Sequence, residues 1–181
     1  MRRYRWKPLA WPGFEYLEID EEQVGVRARG MAIGAWGETT AAVTYHVTLG
    51  PDWSFRGINL QALDGTRLRL RSDGQGNWSD GTGVSLPELE GCHDIDLSGS
   101  PFTNTLPIRR ATFTPGEAQH FRMAFIALDS FMVMPHAQVY TRLDDRHFRY
   151  LSPESGFTTE LTVDADGFVV SYPHLFERVE D

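Results

Sequence analysis

Gly91-Cys92-His93-Asp94-Ile95-Asp96 places a thiol, an imidazole and two carboxylates within one short stretch. If it is extended, Cys92, Asp94 and Asp96 point one way, and His93 and Ile95 the other. Two carboxylates on one face could bind a cation or act as an acid–base pair, because neighbouring like charges drive their pKa values apart. The same residues also suit a scaffold. Aspartates near strand ends satisfy loop amides, and a lone cysteine is commonly a small buried apolar residue. His93, Asp94 and Asp96 are therefore candidate ligand contacts, and no catalytic residue is assigned.

Further along, Thr103-Asn104-Thr105-Leu106-Pro107-Ile108-Arg109-Arg110 adds an amide that donates and accepts, and two planar cationic forks. Read as a strand, Arg109 and Arg110 fall on opposite faces. One would pair with Asp94 or Asp96 and the other would stay in water, since buried acids need partners. Ser100 followed by Pro101 is a helix-start signal, so one short helix is expected to begin there.

Other chemistries lack their residues. Cys92, His93, Asp94 and Asp96 diverge on a strand, and His46, His120, His136, His147 and His174 are scattered singly, so no metal site is expected. Asp164-Ala165-Asp166-Gly167 opens like a calcium loop but lacks the later oxygen ligands and the terminal glutamate, which favours a hairpin. Leu97-Ser98-Gly99-Ser100-Pro101 is no nucleophile elbow. The glycine-rich stretch from Ser72 to Gly83 lacks the Gly-Lys-Ser/Thr ending of a phosphate loop, and reads as turns around Asn77-Trp78. No cofactor is called for.

The elements that must position these groups are strands. Apolar residues alternate in short runs about every ten residues, with turn residues between them. Phe14–Ile19, Thr40–Leu49, Phe55–Leu63 and Thr66–Arg71 are predicted strands, as are Phe121–Leu128, Ala137–Leu143, Phe148–Leu151, Phe157–Val163 and Phe168–Tyr172. Asp64-Gly65 and Asp166-Gly167 supply hairpin turns. Phe121, Met123 and Phe125 share a face, with Phe131, Met132, Met134 and Tyr140 nearby. Such residues form a core by default and can also line an adaptable apolar cavity. So many strands with one short helix predict an all-β domain spanning 1–181, in which a long antiparallel sheet curls to bury one face.

The chain has 181 residues, 41% hydrophobic and 23% charged, with a net charge of −8. That acidity argues against non-specific nucleic-acid binding and against simple electrostatic docking on anionic membranes. Met1-Arg2-Arg3-Tyr4-Arg5-Trp6-Lys7 starts like an export signal, but Pro8, Pro12, Gly13 and Glu15 follow where an apolar run is required. No apolar stretch is long enough for a membrane span, and one cysteine makes no internal disulfide. A cytoplasmic protein is expected.

The chain resembles the bacterial putative glycolipid-binding family. The resemblance is carried by Trp53, Asp73-Gly74-x-Gly76-x-Trp78, Leu89 through Asp96, and Ser100 through Arg110. It continues in Gln138-x-Tyr140-Thr141, Val163-Asp164-x-Asp166-Gly167-x-Val169 and Tyr172-Pro173. Glu90 and Ala111 depart from it, standing where Asp and Leu are expected. The resemblance implies a spiral β-roll wound around one helix, assembly as a homodimer, and similarity to carriers of lipids and lipoproteins. It adds Gln138 and Tyr140 to His93, Asp94, Asp96, Asn104, Arg109 and Arg110 as ligand contacts. The leading expectation is non-catalytic binding of an amphipathic small molecule or glycolipid. The alternatives are a hydrolase or isomerase of a sugar-containing substrate using Asp94 and Asp96, and a structural dimer in which the block only braces the fold.

Overall fold

Alternating sequences give each strand one face to bury, and a single long sheet can bury it only by curling on itself. The computed structural model describes residues 1–36 and 39–180. The first half holds β1 (Arg2–Pro8), β2 (Gly13–Glu22), β3 (Gly25–Trp36), β4 (Thr39–Leu49), β5 (Phe55–Ala62), β6 (Arg67–Ser72) and β7 (Trp78–Asp80). After β8 (Asp94–Leu97) come a 3₁₀ turn (Pro101–Asn104) and α1 (Thr105–Arg110). The rest is β9 (Ala118–Ile126), β10 (Val133–Arg142), β11 (His147–Leu151), β12 (Thr158–Val163), β13 (Val169–Tyr172) and β14 (Phe176–Arg178).

All fourteen strands join one sheet in the order β7-β6-β5-β4-β3-β2-β1-β14-β13-β12-β11-β10-β9-β8. Two meanders meet where β1 pairs with β14, with Trp6 opposite Arg178. Every pairing is antiparallel except β8 with β9. That exception marks the innermost turn of the roll. Ile95, Leu97, Ala124 and Ile126 pack with the first core, around Trp6, Tyr45, Ile58 and Leu70. Met123 packs with the second, around Tyr140, Phe148, Leu161 and Val169. With apolar side chains sent to both cores, this pair is covered on both faces, the setting in which parallel strands are normally found. Phe102 and Leu106 lie fully buried in the first core, so the sheet winds around the segment from Pro101 to Arg110.

Both glycine hairpins form. Gly65 has φ +93° between β5 and β6, and Gly167 has φ +80° between β12 and β13, a region that glycine enters without steric cost. The glycine-rich stretch is a pair of turns. Asp73 accepts from the backbone N–H groups of Gln75 and Asn77, and the buried Trp78 indole donates to the Cys92 carbonyl at 2.8 Å. Five strands lie beyond the predicted runs: β1, β3 and β14, and the short β7 and β8. β3 is hidden because its inner face carries Ala28, Gly30 and Ala32 rather than large residues. Gly30 is the tight point, because a Cβ there would lie 2.1 Å from the Tyr45 ring.

Arg109 and Arg110 require a correction. They stand in the last turn of α1 and not on opposite faces of a strand. The Ser100 hydroxyl accepts from the Phe102 N–H at 3.2 Å, and Pro101 follows as the first helical residue, so the start signal propagates further than the local pattern shows.

Gly30→Ala should overpack the first core and cost about 1–3 kcal/mol, read as a lower urea midpoint. An unchanged midpoint would show that Tyr45 can move aside freely.

Candidate functional site

The central block divides into a sealed part and an open part. Asp94 is 0% exposed and meets Arg110 two-pronged, with Nη2 at 2.6 Å from Oδ2 and Nε at 3.2 Å from Oδ1. Burial pushes the Asp94 carboxyl above its usual range, and the Arg110 hydrogen bonds oppose that rise. Cys92 is buried, its thiol pushed up by desolvation and its Sγ 3.3 Å from the Met123 carbonyl, which suits a packed side chain better than a nucleophile. His93 is exposed while its neighbours Cys92 and Asp94 are buried. Arg109 stacks 4.1 Å over Trp53 and donates to the Asp166 carbonyl at 2.9 Å. Asp94 and Asp96 therefore stand in different surroundings: an arginine holds the first carboxylate away from solvent.

Asp96 faces a cavity of about 510 Å³, within the size range of small-molecule sites. β8 supplies Asp96, the 3₁₀ turn supplies Asn104, and β10 supplies His136 and Gln138. Ser152 and Glu154 follow β11. Apolar and aromatic walls come from Phe125, Met134, Tyr150, Phe157, Tyr172 and Phe176.

These polar groups are mutually held. Gln138 Nε2 donates to Asp96 Oδ2 at 2.7 Å, and Thr103 Oγ1 donates to Asp96 Oδ1 at 3.3 Å. Tyr140, fully buried behind the cavity, donates to Asn104 Oδ1 at 2.7 Å. Burial pushes its phenol well above the usual range, so it stays a neutral donor. His136 Nδ1 lies 3.8 Å from Asp96 Oδ2, and its Nε2 lies 2.9 Å from Glu154 Oε2 and 3.0 Å from Ser152 Oγ. The neighbouring Asp96 carboxylate raises the His136 pKa against the opposing effect of burial. With a carboxylate at Nε2, the imidazole is placed to donate to Glu154 rather than to take the Ser152 proton. The arrangement suits hydrogen bonding to a polar head, with rings for an apolar body to lie against.

Of the sequence-chosen residues, Asp96, Asn104 and Gln138 line the cavity and Tyr140 braces it from behind. His93, Asp94, Arg109 and Arg110 do not line it. His136, Tyr150, Ser152, Glu154 and Tyr172 escaped the sequence reading. One signal existed for His136: alternation along β10 puts it on the face of Gln138 and Tyr140. The others come from strands brought alongside only by the roll.

A second buried carboxyl adjoins this wall. Glu15 Oε1 accepts from Tyr45 and from Ser100, each at 2.5 Å, while Oε2 is buried without a partner. Burial pushes its pKa up to about 7. Its position was legible, because Glu15 shares a strand face with Leu17 and Ile19.

Residues 3–178 match a family model described as Putative glycolipid-binding. The fold is also similar to the crystal structure of a DUF1089 family protein from Pseudomonas aeruginosa. The two are 34% identical, with 91% of this chain and 92% of that one covered and a TM-score of 0.80. No curated protein matches the chain. Among the described residues, no helix is long and apolar enough to cross a membrane.

Two outcomes follow from the buried carboxyls. Arg110→Ala strands Asp94 without its partner and should cost about 3–5 kcal/mol, whereas Arg110→Ala with Asp94→Leu should recover much of that loss in a chemical denaturation series. Glu15 titrates at about 7 when folded, against about 4.5 when unfolded. The folded state therefore holds the extra proton, so stability is full below about pH 4.5 and falls by about 3 kcal/mol as pH rises through 7. Glu15→Gln should remove that part of the pH dependence of melting, and a variant that keeps the wild-type slope would assign it elsewhere.

Proposed function

Because the chain belongs to the Putative glycolipid-binding family, we propose that it binds a glycosylated amphiphile in the cavity between β8, β10, β11 and β13, without transforming it. The observation that carries this reading is the meeting of Asp96, Asn104, His136 and Gln138 on a cavity whose remaining wall is largely aromatic. Sugars offer hydroxyl groups to amides and carboxylates while presenting C–H faces to rings, which is the chemistry this wall supplies. Met134 and Phe157, both partly exposed, give the apolar portion of the ligand a flexible and a flat surface.

The charge of the wall narrows the head. Asp96 and Glu154 are its carboxylates, His136 lies between them, and among the described residues no lysine or arginine lines the cavity. A phosphate or carboxylate head would bring a like charge into a confined site, whereas a neutral sugar or an amino sugar would not. Binding without catalysis is supported by the fixed Asp94–Arg110 pair and by Glu154 at the imidazole nitrogen nearest Ser152.

Titration calorimetry with octyl glucoside, octyl glucosaminide and octyl glucuronide tests the proposal. The first two should bind, and the glucuronide should bind about tenfold more weakly or not at all, a difference of about 1.4 kcal/mol. Asp96→Asn and Gln138→Ala should each weaken the glucoside by about 5- to 30-fold, as expected for losing a hydrogen bond at a charged or buried group. Failure of all three glycosides to bind, or variants that bind as the wild type does, would overturn the reading.

A further inference from the structure

The outer face of the first meander is the wrong composition for a sheet face in water. Phe14 lies opposite Ile33 and Tyr16 opposite Met31 across β2 and β3, and each is 36–45% exposed. Ala42 and Thr44 extend these two rows onto β4. Beside Ile33 and Ala42 a groove of about 660 Å³ runs past Leu63 to Phe131, with Asp64 and Asp129 also on its rim. Leu63 is 88% exposed. Phe131 is held at φ +56°, a conformation that non-glycine residues rarely adopt, with the half-exposed Met132 beside it. A contiguous exposed apolar surface of this kind marks a contact site.

The rows next to it say what kind of contact. Arg67 continues the Tyr16–Met31 row, Arg69 the Arg29 row and Arg71 the Arg27 row. On β3 to β6 the outward positions carry five arginines and no carboxylate, in a chain whose net charge is −8. Arg27 and Arg29 are answered by Glu22, Glu18 and Asp20 of β2. Arg69 donates to Asn59, and Arg67 and Arg71 have no ion-pair partner among the described residues.

We infer that this outer face docks on an anionic lipid bilayer, with the apolar rows of β2 and β3 entering the interface and Arg67, Arg69 and Arg71 reaching lipid phosphates. Arginine forks suit phosphate oxygens. Interfacial binding grows with apolar area and with attraction to anionic lipid. The acidic net charge does not forbid this, because charges elsewhere on the surface are screened beyond about 8 Å at physiological ionic strength. A second copy packed face to face would set Arg67, Arg69 and Arg71 against a face whose carboxylates, Glu18, Asp20 and Glu22 of β2, are already paired with Arg27 and Arg29. The inference goes beyond glycolipid binding and does not require it.

Flotation with vesicles of phosphatidylcholine, and of phosphatidylcholine mixed with phosphatidylglycerol, tests it. The protein should associate with the anionic vesicles about tenfold more than with the neutral ones at physiological salt, and lose that excess as salt rises further. Arg67→Ala with Arg71→Ala should remove most of the anionic excess, and Met31→Ser with Ile33→Ser should lower association with both vesicle types. These exposed substitutions should leave the melting temperature close to wild type. Asp96→Asn should float with the vesicles while losing glycoside affinity, which separates failure of this inference from failure of the binding site. No association with anionic vesicles, or association that the arginine variant leaves unchanged, would overturn the inference. So would a dimer that Ile33→Glu converts to monomer in light scattering, since a second copy would then cover the face.

Discussion

The roll depends on placing one carboxylate where water cannot reach it. Asp94 begins β8, the innermost strand, and Arg110 ends α1, the helix around which the sheet winds. Their two-pronged contact ties the inner end of the sheet to its axle. A buried ion pair of this kind adds little net stability, because desolvation offsets most of the attraction. Its value lies in exclusion. A register shift of one residue in β8 would turn Asp94 into the first core and leave Arg110 facing apolar side chains. The pair thus makes alternative windings costly while contributing little to the energy of the correct one.

The cavity follows from the same geometry. β8 can send its two faces to different surroundings because it is covered on both sides. Ile95 and Leu97 complete the first core, while the opposite face must accommodate Asp94 and Asp96. Asp94 is closed off by Arg110. Asp96 is met by Gln138 and Thr103 and retains contact with the cavity. Buried polar networks stay in place only when their members are satisfied, and Tyr140 of the second core supplies that brace through its contacts with Asn104 and Gln138. Scaffold and site are therefore adjacent parts of one block.

The distribution of charge carries information that its sum conceals. A net charge of −8 suggests a molecule repelled by anionic surfaces. Strand pairing nevertheless gathers arginines from β3 and β6 onto one outer face, because each alternates with an inward apolar residue and the register aligns them. The same alternation places Glu15 inward beside Leu17, where burial pushes its carboxyl up to about 7. Local position decides the behaviour of each of these groups.

Alternation and turn chemistry made much of the sheet legible: β2, β4, β5 and β6 are marked by period-two runs, and the two glycine hairpins by Asp-Gly. β3 was illegible because its buried face is built from small residues, which leave no hydrophobic period to read. In the block itself, the sequence by itself determined the residue types and the face that Asp94 and Asp96 share, whereas Cys92, outside β8, packs with Ile95 and Leu97 in the first core. Only the tertiary structure decided that Asp94 would be closed by Arg110 while Asp96 opened on a cavity with His136, Ser152 and Glu154. Local rules extend over a strand or a helical turn, whereas a roll brings together strands far apart in the chain. Whether a carboxylate is sealed or open depends on what those distant strands place against it.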